Sequence, residues 1–242
     1  LTPFLNNYDK LILGTFLLIL FAVLPGLLLS YAVFRADKYE RESAAALTLC
    51  FVLGAAATLP AIAVEKWVYP DTGLENLSAW KMVLVAFGAV AFNEELFKLL
   101  ALLIGAFPWR YFNEPMDGIV YAVMVAMGFA TTENILYINR FGAEPLLLRA
   151  FTAVPAHLVF GIVMGYYAGL AKFNPDKKNS LLLLGFGLAV LIHGIYDLLI
   201  LQKSSDWLIV LASVALYLCL FYCGELVRMH QHNSPFRNRD EE

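Results

Sequence analysis

Long apolar stretches alternate with short polar connections along the chain. Seven apolar segments stand out, at approximately 11–34, 43–64, 82–107, 117–138, 150–170, 181–201 and 207–227. A helix needs ~20 apolar residues to cross the hydrocarbon core, and each segment is about that long. The apolar positions run unbroken instead of alternating, which excludes an outer-membrane barrel. The pattern predicts an all-α fold, a polytopic membrane helix bundle of about seven transmembrane helices. The first segment is too long for a signal-peptide core and has no A-x-A site behind it, so it reads as a retained span. Connections such as Arg35–Glu42, Pro108–Met116, Asn139–Arg149 and Lys172–Ser180 are short and polar; the longest, Glu65–Lys81, has no room for a domain. The polar stretch 228–242 reads as a frayed tail.

Composition agrees. Of the 242 residues, 60% are hydrophobic and 15% charged, against about 45–50% and about 25% in an ordinary soluble domain. A net charge of −3 gives no bulk electrostatic case for nucleic acid. Cys50, Cys219 and Cys223 all lie inside apolar runs and read as small core residues. The basic residues set the orientation: 6 fall on the side of the N-terminus and 10 on the side holding Arg35, Lys178 and the C-terminus. The positive-inside rule then puts the N-terminus outside and the C-terminus in the cytoplasm. Gly161, Gly165 and Gly169 form a small-residue stripe on the fifth span, suited to close helix packing. Asn76-Leu77-Ser78 is a formal glycosylation sequon to which no role is assigned.

The chemistry lies in ionisable residues at bilayer depth. Each such group costs at least ~2.5–3.5 kcal/mol on insertion scales and marks function by default. They cluster in spans three to six: Asn93, Glu94, Glu95 and Lys98; then Glu133 with Asn134; then His157; then His193 and Asp197. By span register, four helices bring carboxylates and imidazoles into the same half of the membrane, the outer half. A shared water-filled cavity is expected. Glu94 and Lys98 are i, i+4, and Glu95 and Lys98 are i, i+3, so both acids can reach the lysine. Two adjacent carboxylates in a low dielectric cannot both ionise cheaply. With Lys98 holding one as the anion, the other suits a general base acting on water. His193 and Asp197 are again i, i+4, which lets Asp197 orient the imidazole. Asp117 reads as a helix-start acid and Arg149 as an interfacial anchor.

Several reaction classes lack their motifs. There is no H-E-x-x-H, no G-x-S-G and no P-loop. Tyr196-Asp197 matches half of an intramembrane aspartyl pattern, but no G-x-G-D accompanies it. Carboxylates and histidines remain.

At these residues the chain resembles the PrsW family of membrane-embedded proteases, part of a glutamate-dependent superfamily that includes the prenyl-protein endopeptidases. The matching pieces are Glu94-Glu95-x-x-Lys98, Pro115-x-Asp117-Gly118-Ile119-x-Tyr121, Gly128-Phe129-Ala130-x-x-Glu133-Asn134-Ile135-x-Tyr137, His157 with Gly165-Tyr166, and His193-Gly194-x-Tyr196-Asp197. They occur in order over roughly 93–197. Asn93 stands where family members often carry a third acid, and Ala153 where the prenyl-protein endopeptidases tend to have Phe. The resemblance implies a prokaryotic multi-pass peptidase acting on single-span membrane proteins. The family's best known role is the first cut in an anti-sigma factor on its extracytoplasmic side.

The expectation is therefore one integral membrane domain over 1–242, with a catalytic core at about 82–201. Its catalytic set is Glu94, Glu95, Lys98, Glu133, His157, His193 and Asp197. A Glu-activated water needs no cofactor; in a variant, Zn2+ sits on Glu133, His157 and His193, which are suitable ligand types. The expected partners are a single-span substrate resembling an anti-sigma factor and the lipid bilayer, without nucleic acid. The competing expectation is a proton- or ion-coupled transporter, which also places acids and histidines midway across a bilayer.

Overall fold

A computed structural model describes residues 7–68, 77–202 and 205–237. Asn76 of the sequon lies outside the described residues. The described elements are helical: α1 (Asn7–Ala36), α2 (Ala44–Val68), α3 (Ala79–Leu84), a π-helical stretch (Val85–Phe92), α4 (Asn93–Gly105), α5 (Pro115–Phe141), α6 (Glu144–Phe151), α7 (Ala153–Lys172), a short 3-10 turn (Pro175–Lys177), α8 (Lys178–Leu201) and α9 (Asp206–His232). Six helical stretches are individually long and apolar enough to cross a membrane. The seventh crossing is α3, the π-helical stretch and α4, which run on without a break over 79–105. The bundle of about seven spans is thus present.

Burial sorts these helices into a centre and a periphery. In α5, and in α6 and α7 together, about three quarters of the most apolar stretch is inside the protein; in α1, α8 and α9 that share is about a fifth. The outer helices turn residues such as Phe16, Leu28, Leu183, Leu218 and Phe221 outward, as expected where the solvent is lipid and apolar side chains gain nothing by being buried.

Helices approach closely where the sequence supplies glycine. A β-carbon on Gly118 of α5 would fall 2.5 Å from the Gly165 carbonyl of α7, and one on Gly165 would collide with the Gly118 carbonyl. Gly54 of α2 meets the Val125 carbonyl in the same way, and Gly128 meets that of Phe51. The stripe Gly161, Gly165, Gly169 therefore does pack, against Ala126, Gly118 and Pro115 on α5.

Three boundaries differ from the hydropathy pattern. Helix α2 continues through Glu65 to Val68, because Glu65 turns inward toward Asn93 instead of starting a loop. The polar run after span four forms α6, broken from α7 at Thr152 (φ −123°, ψ −70°). The last helix extends past Arg228 to His232. There His230 is fully buried, stacks on Tyr166 at 4.3 Å and donates Nε2–H to the Tyr166 carbonyl at 2.9 Å. That contact orders residues whose polarity predicts fraying.

Candidate active site

The π-helical stretch immediately precedes Asn93. A π-turn inserts extra residues into the helical register and is most often found at functional sites. Here it delivers α4 with Asn93, Glu94, Glu95 and Lys98 all buried. Asn93 is tied to α2 by an Nδ2–H donated to the Ala61 carbonyl at 2.9 Å.

Lys98 is the hub. Its Nζ lies 2.8 Å from Glu95 Oε1, 3.2 Å from Glu94 Oε2 and 2.9 Å from His157 Nδ1. It also sits 4.3 Å over the Phe129 ring, a cation–π contact that strengthens when desolvated. From this hub the network runs both ways. On one side Glu95 Oε1 meets His193 Nδ1 at 2.8 Å, and His193 Nε2 meets Asp197 Oδ2 at 3.3 Å. On the other, His157 Nε2 meets Glu133 Oε2 at 3.0 Å, and the same oxygen binds Arg149 Nη2 at 2.9 Å. Arg149 Nε also donates to Asn134 Oδ1 at 2.8 Å. Phe160 stacks flat on His193, ring centres 4.5 Å apart and planes 15° apart.

Donor and acceptor roles fix the protons. A lysine ammonium only donates, so His157 Nδ1 accepts, and its Nε2–H is left to donate to Glu133. Both nitrogens of His193 face carboxylate oxygens, the arrangement of an imidazolium that donates twice. With Glu65 of α2 counted, five carboxylates, Glu65, Glu94, Glu95, Glu133 and Asp197, thus face three cations, Lys98, Arg149 and His193. The acids outnumber the cations by two. Of the two carboxylates on Lys98, Glu94 is the less engaged: among the described residues Lys98 is its one hydrogen-bond partner, through Oε2. Glu95 is fully buried and gripped through Oε1 by both Lys98 and His193.

All seven expected residues therefore fall into one cluster. Three others join it. Arg149, read from sequence as an interfacial anchor, points inward from α6 to Glu133. Asn134 orients that arginine. Glu65 comes in from α2, its carboxylate 3.4 Å from Asn93 Nδ2. The available signal for Arg149 and Glu65 was their place at the ends of apolar segments, where a charge is ordinarily solvated.

The donors suit a metal ion. Glu94, Glu133 and His157 each offer an atom within 4.8 Å of the others, and so do Glu94, Glu95 and His193. Glu95 Oε2 is buried with no partner. The expected trio of Glu133, His157 and His193 is divided between these two sets, with the two imidazole rings 5.7 Å apart. A divalent ion would balance that excess of two.

The family model described as PrsW family intramembrane metalloprotease matches residues 42–223. The chain belongs to the PrsW family. Protease PrsW of Shouchella clausii is 37% identical over 183 residues, covering 76% of this chain and 83% of that one. Protease PrsW of Bacillus subtilis is 33% identical over 207 residues, 85% of this chain and 92% of that one. Protease PrsW of Clostridioides difficile is 32% identical over 203 residues, covering 81% and 84%. No solved structure gives a significant match. The protein is a membrane-embedded peptidase of bacterial type, and the transporter alternative falls away.

Proposed function

We propose that this PrsW-family peptidase cuts single-span membrane proteins resembling anti-sigma factors, in the extracytoplasmic half of the membrane, with Glu94 as the base that activates water. The observation that carries the reading is the buried network centred on Lys98, with Glu94 as the less anchored of the two carboxylates bound to that lysine. A base needs an oxygen free to take a proton, and Glu95 lacks one outside a sealed environment. Lys98 keeps Glu94 ionised before the reaction and stays within reach of the proton afterwards. His193, oriented by Asp197 and covered by Phe160, would stabilise the oxyanion or protonate the leaving amine once the substrate replaces one of its two carboxylate partners. Arg149 holds Glu133, and Glu133 holds the His157 ring.

The donor set also accommodates the metal in the family's description. Glu133 and His157 would hold it, with Glu94 beside it left as the base, and the metal would supply polarisation of the peptide carbonyl and acidification of water. The roles of Lys98, His193 and Asp197 are the same with or without it.

The basic residues support the choice of side. With Arg149 turned into the site, the positive excess on the opposite face is larger than the loop positions alone suggested. The test is purified protein in proteoliposomes with a tagged single-span substrate. Cleavage by the wild type and none by Glu94→Gln supports the reading. Equal cleavage by both removes Glu94 as the base. Activity lost to a chelator and restored by zinc assigns the metal; chelator-resistant turnover excludes it.

A further inference from the structure

A second buried cluster of acids lies at the other end of α5. Asp117 and Glu133 are 16 residues apart on that helix, about 24 Å along its axis at 1.5 Å per residue. Around Asp117 gather Glu114, just before α5, and Asp37, Glu40 and Glu42 from the α1–α2 connection. One oxygen each from Asp37, Glu114 and Asp117 lie within 4.8 Å of one another, and one each from Glu40, Glu42 and Asp117 do likewise. Asp37 is 1% exposed, and among the described residues neither of its carboxylate oxygens has a hydrogen-bond partner. Asp117 is fully buried. Its Oδ2 accepts the backbone N–H of Asn113 at 2.7 Å and of Glu114 at 2.9 Å, while Oδ1 has no partner.

Two basic side chains lie near the cluster, but their hydrogen bonds go to backbone carbonyls and not to its carboxylates. Arg41 donates Nε–H to the Asp37 backbone carbonyl at 3.2 Å and covers the Phe34 ring. Lys172 donates to the carbonyls of Phe107 at 2.6 Å and Trp109 at 3.2 Å. A buried carboxylate without a partner is costly, and one with oxygens of two further acids within 4.8 Å is more so. We infer that Asp37, Glu114 and Asp117, with Glu42 adjoining, bind a hard divalent cation of the magnesium or calcium type, separate from the active site. The donors are all oxygen, the set such ions prefer over softer metals. The ion would clamp the α1–α2 connection to the start of α5. On the orientation proposed above, it faces the cytoplasm.

The test uses the full-length protein in detergent, stripped with a chelator and titrated with Ca2+, Mg2+ or Tb3+. Trp109 lies 5.5 Å from Tyr121, and Tyr121 lies against Glu42, so terbium luminescence excited through these rings reports on the site. Saturable binding that raises the Tm is expected in the wild type and in His157→Ala. In Asp37→Asn the affinity falls at least about tenfold, and the chelated variant melts higher than chelated wild type because like-charge repulsion is relieved. Glu42→Gln serves as a second, milder variant should Asp37→Asn not fold. No saturable binding by the wild type overturns the proposal. So does binding that survives both acid substitutions or disappears in His157→Ala.

Discussion

Glu94 and Glu95 are neighbours in sequence with different surroundings, and substitution separates them. Glu94→Gln removes a base but only one contact. It is expected to lower turnover by about 10²–10⁴-fold with the Tm nearly unchanged. Glu95→Gln uncouples Lys98 from His193 in a fully buried setting, where breaking an ion pair costs about 3–5 kcal/mol. Turnover and Tm should fall together, as read by cleavage rate and thermal unfolding in detergent. Arg149 gives a third contrast. Its ion pair with Glu133 through Nη2 and its hydrogen bond to Asn134 through Nε use two nitrogens of the guanidinium fork. Arg149→Lys should therefore recover only part of the activity lost in Arg149→Ala. The seven expected site residues were legible because charge inside an apolar run is costly, so its presence is informative. Arg149 and Glu65 carry no such signal. Their charges lie at the ends of apolar segments, and only the turn of α6 and the continuation of α2 bring them inward.

At the scale of the helix, the number and order of spans were legible from apolar run length alone. The π-helical stretch before Asn93 was not: 85–92 is uniformly apolar, and no periodicity in it distinguishes one helical pitch from another. The break between α6 and α7 was hidden likewise. Pro155 occupies the first turn of α7, where a missing N–H does no harm, so it signals a helix start as readily as a kink. Glycine makes a sharper prediction. Gly165 lies against the Gly118 backbone, whereas a β-carbon on Gly187 of α8 meets nothing within 4 Å. Gly165→Leu should abolish folding or strongly lower the Tm. Gly187→Ala should leave activity intact and raise stability by ~0.8–1.0 kcal/mol at most, the helix-propensity difference. Both are checked by thermal unfolding of purified protein.

For the whole molecule, the bundle has two polar ends with different content. One holds the Lys98 network, and the exposed Trp67, Trp80 and Trp207 mark the surrounding helix ends, as interfacial aromatics do. The other holds the acidic cluster, with exposed Tyr111 in the α4–α5 connection. Single cysteines at Trp80 and Tyr111, placed in a background lacking Cys219, should label from opposite faces of intact cells, Trp80→Cys from outside. The proposed function requires that side, because the substrate is to be cut there. The most direct test of the central claim is a comparison of membrane-protein N-termini in cells carrying wild type or Glu94→Gln at matched levels under an envelope stress. New extracytoplasmic N-termini on a single-span protein, seen only with the wild type, are the expected result. Identical termini in the two strains, with both proteins folded and the stress confirmed, would contradict a glutamate-dependent peptidase.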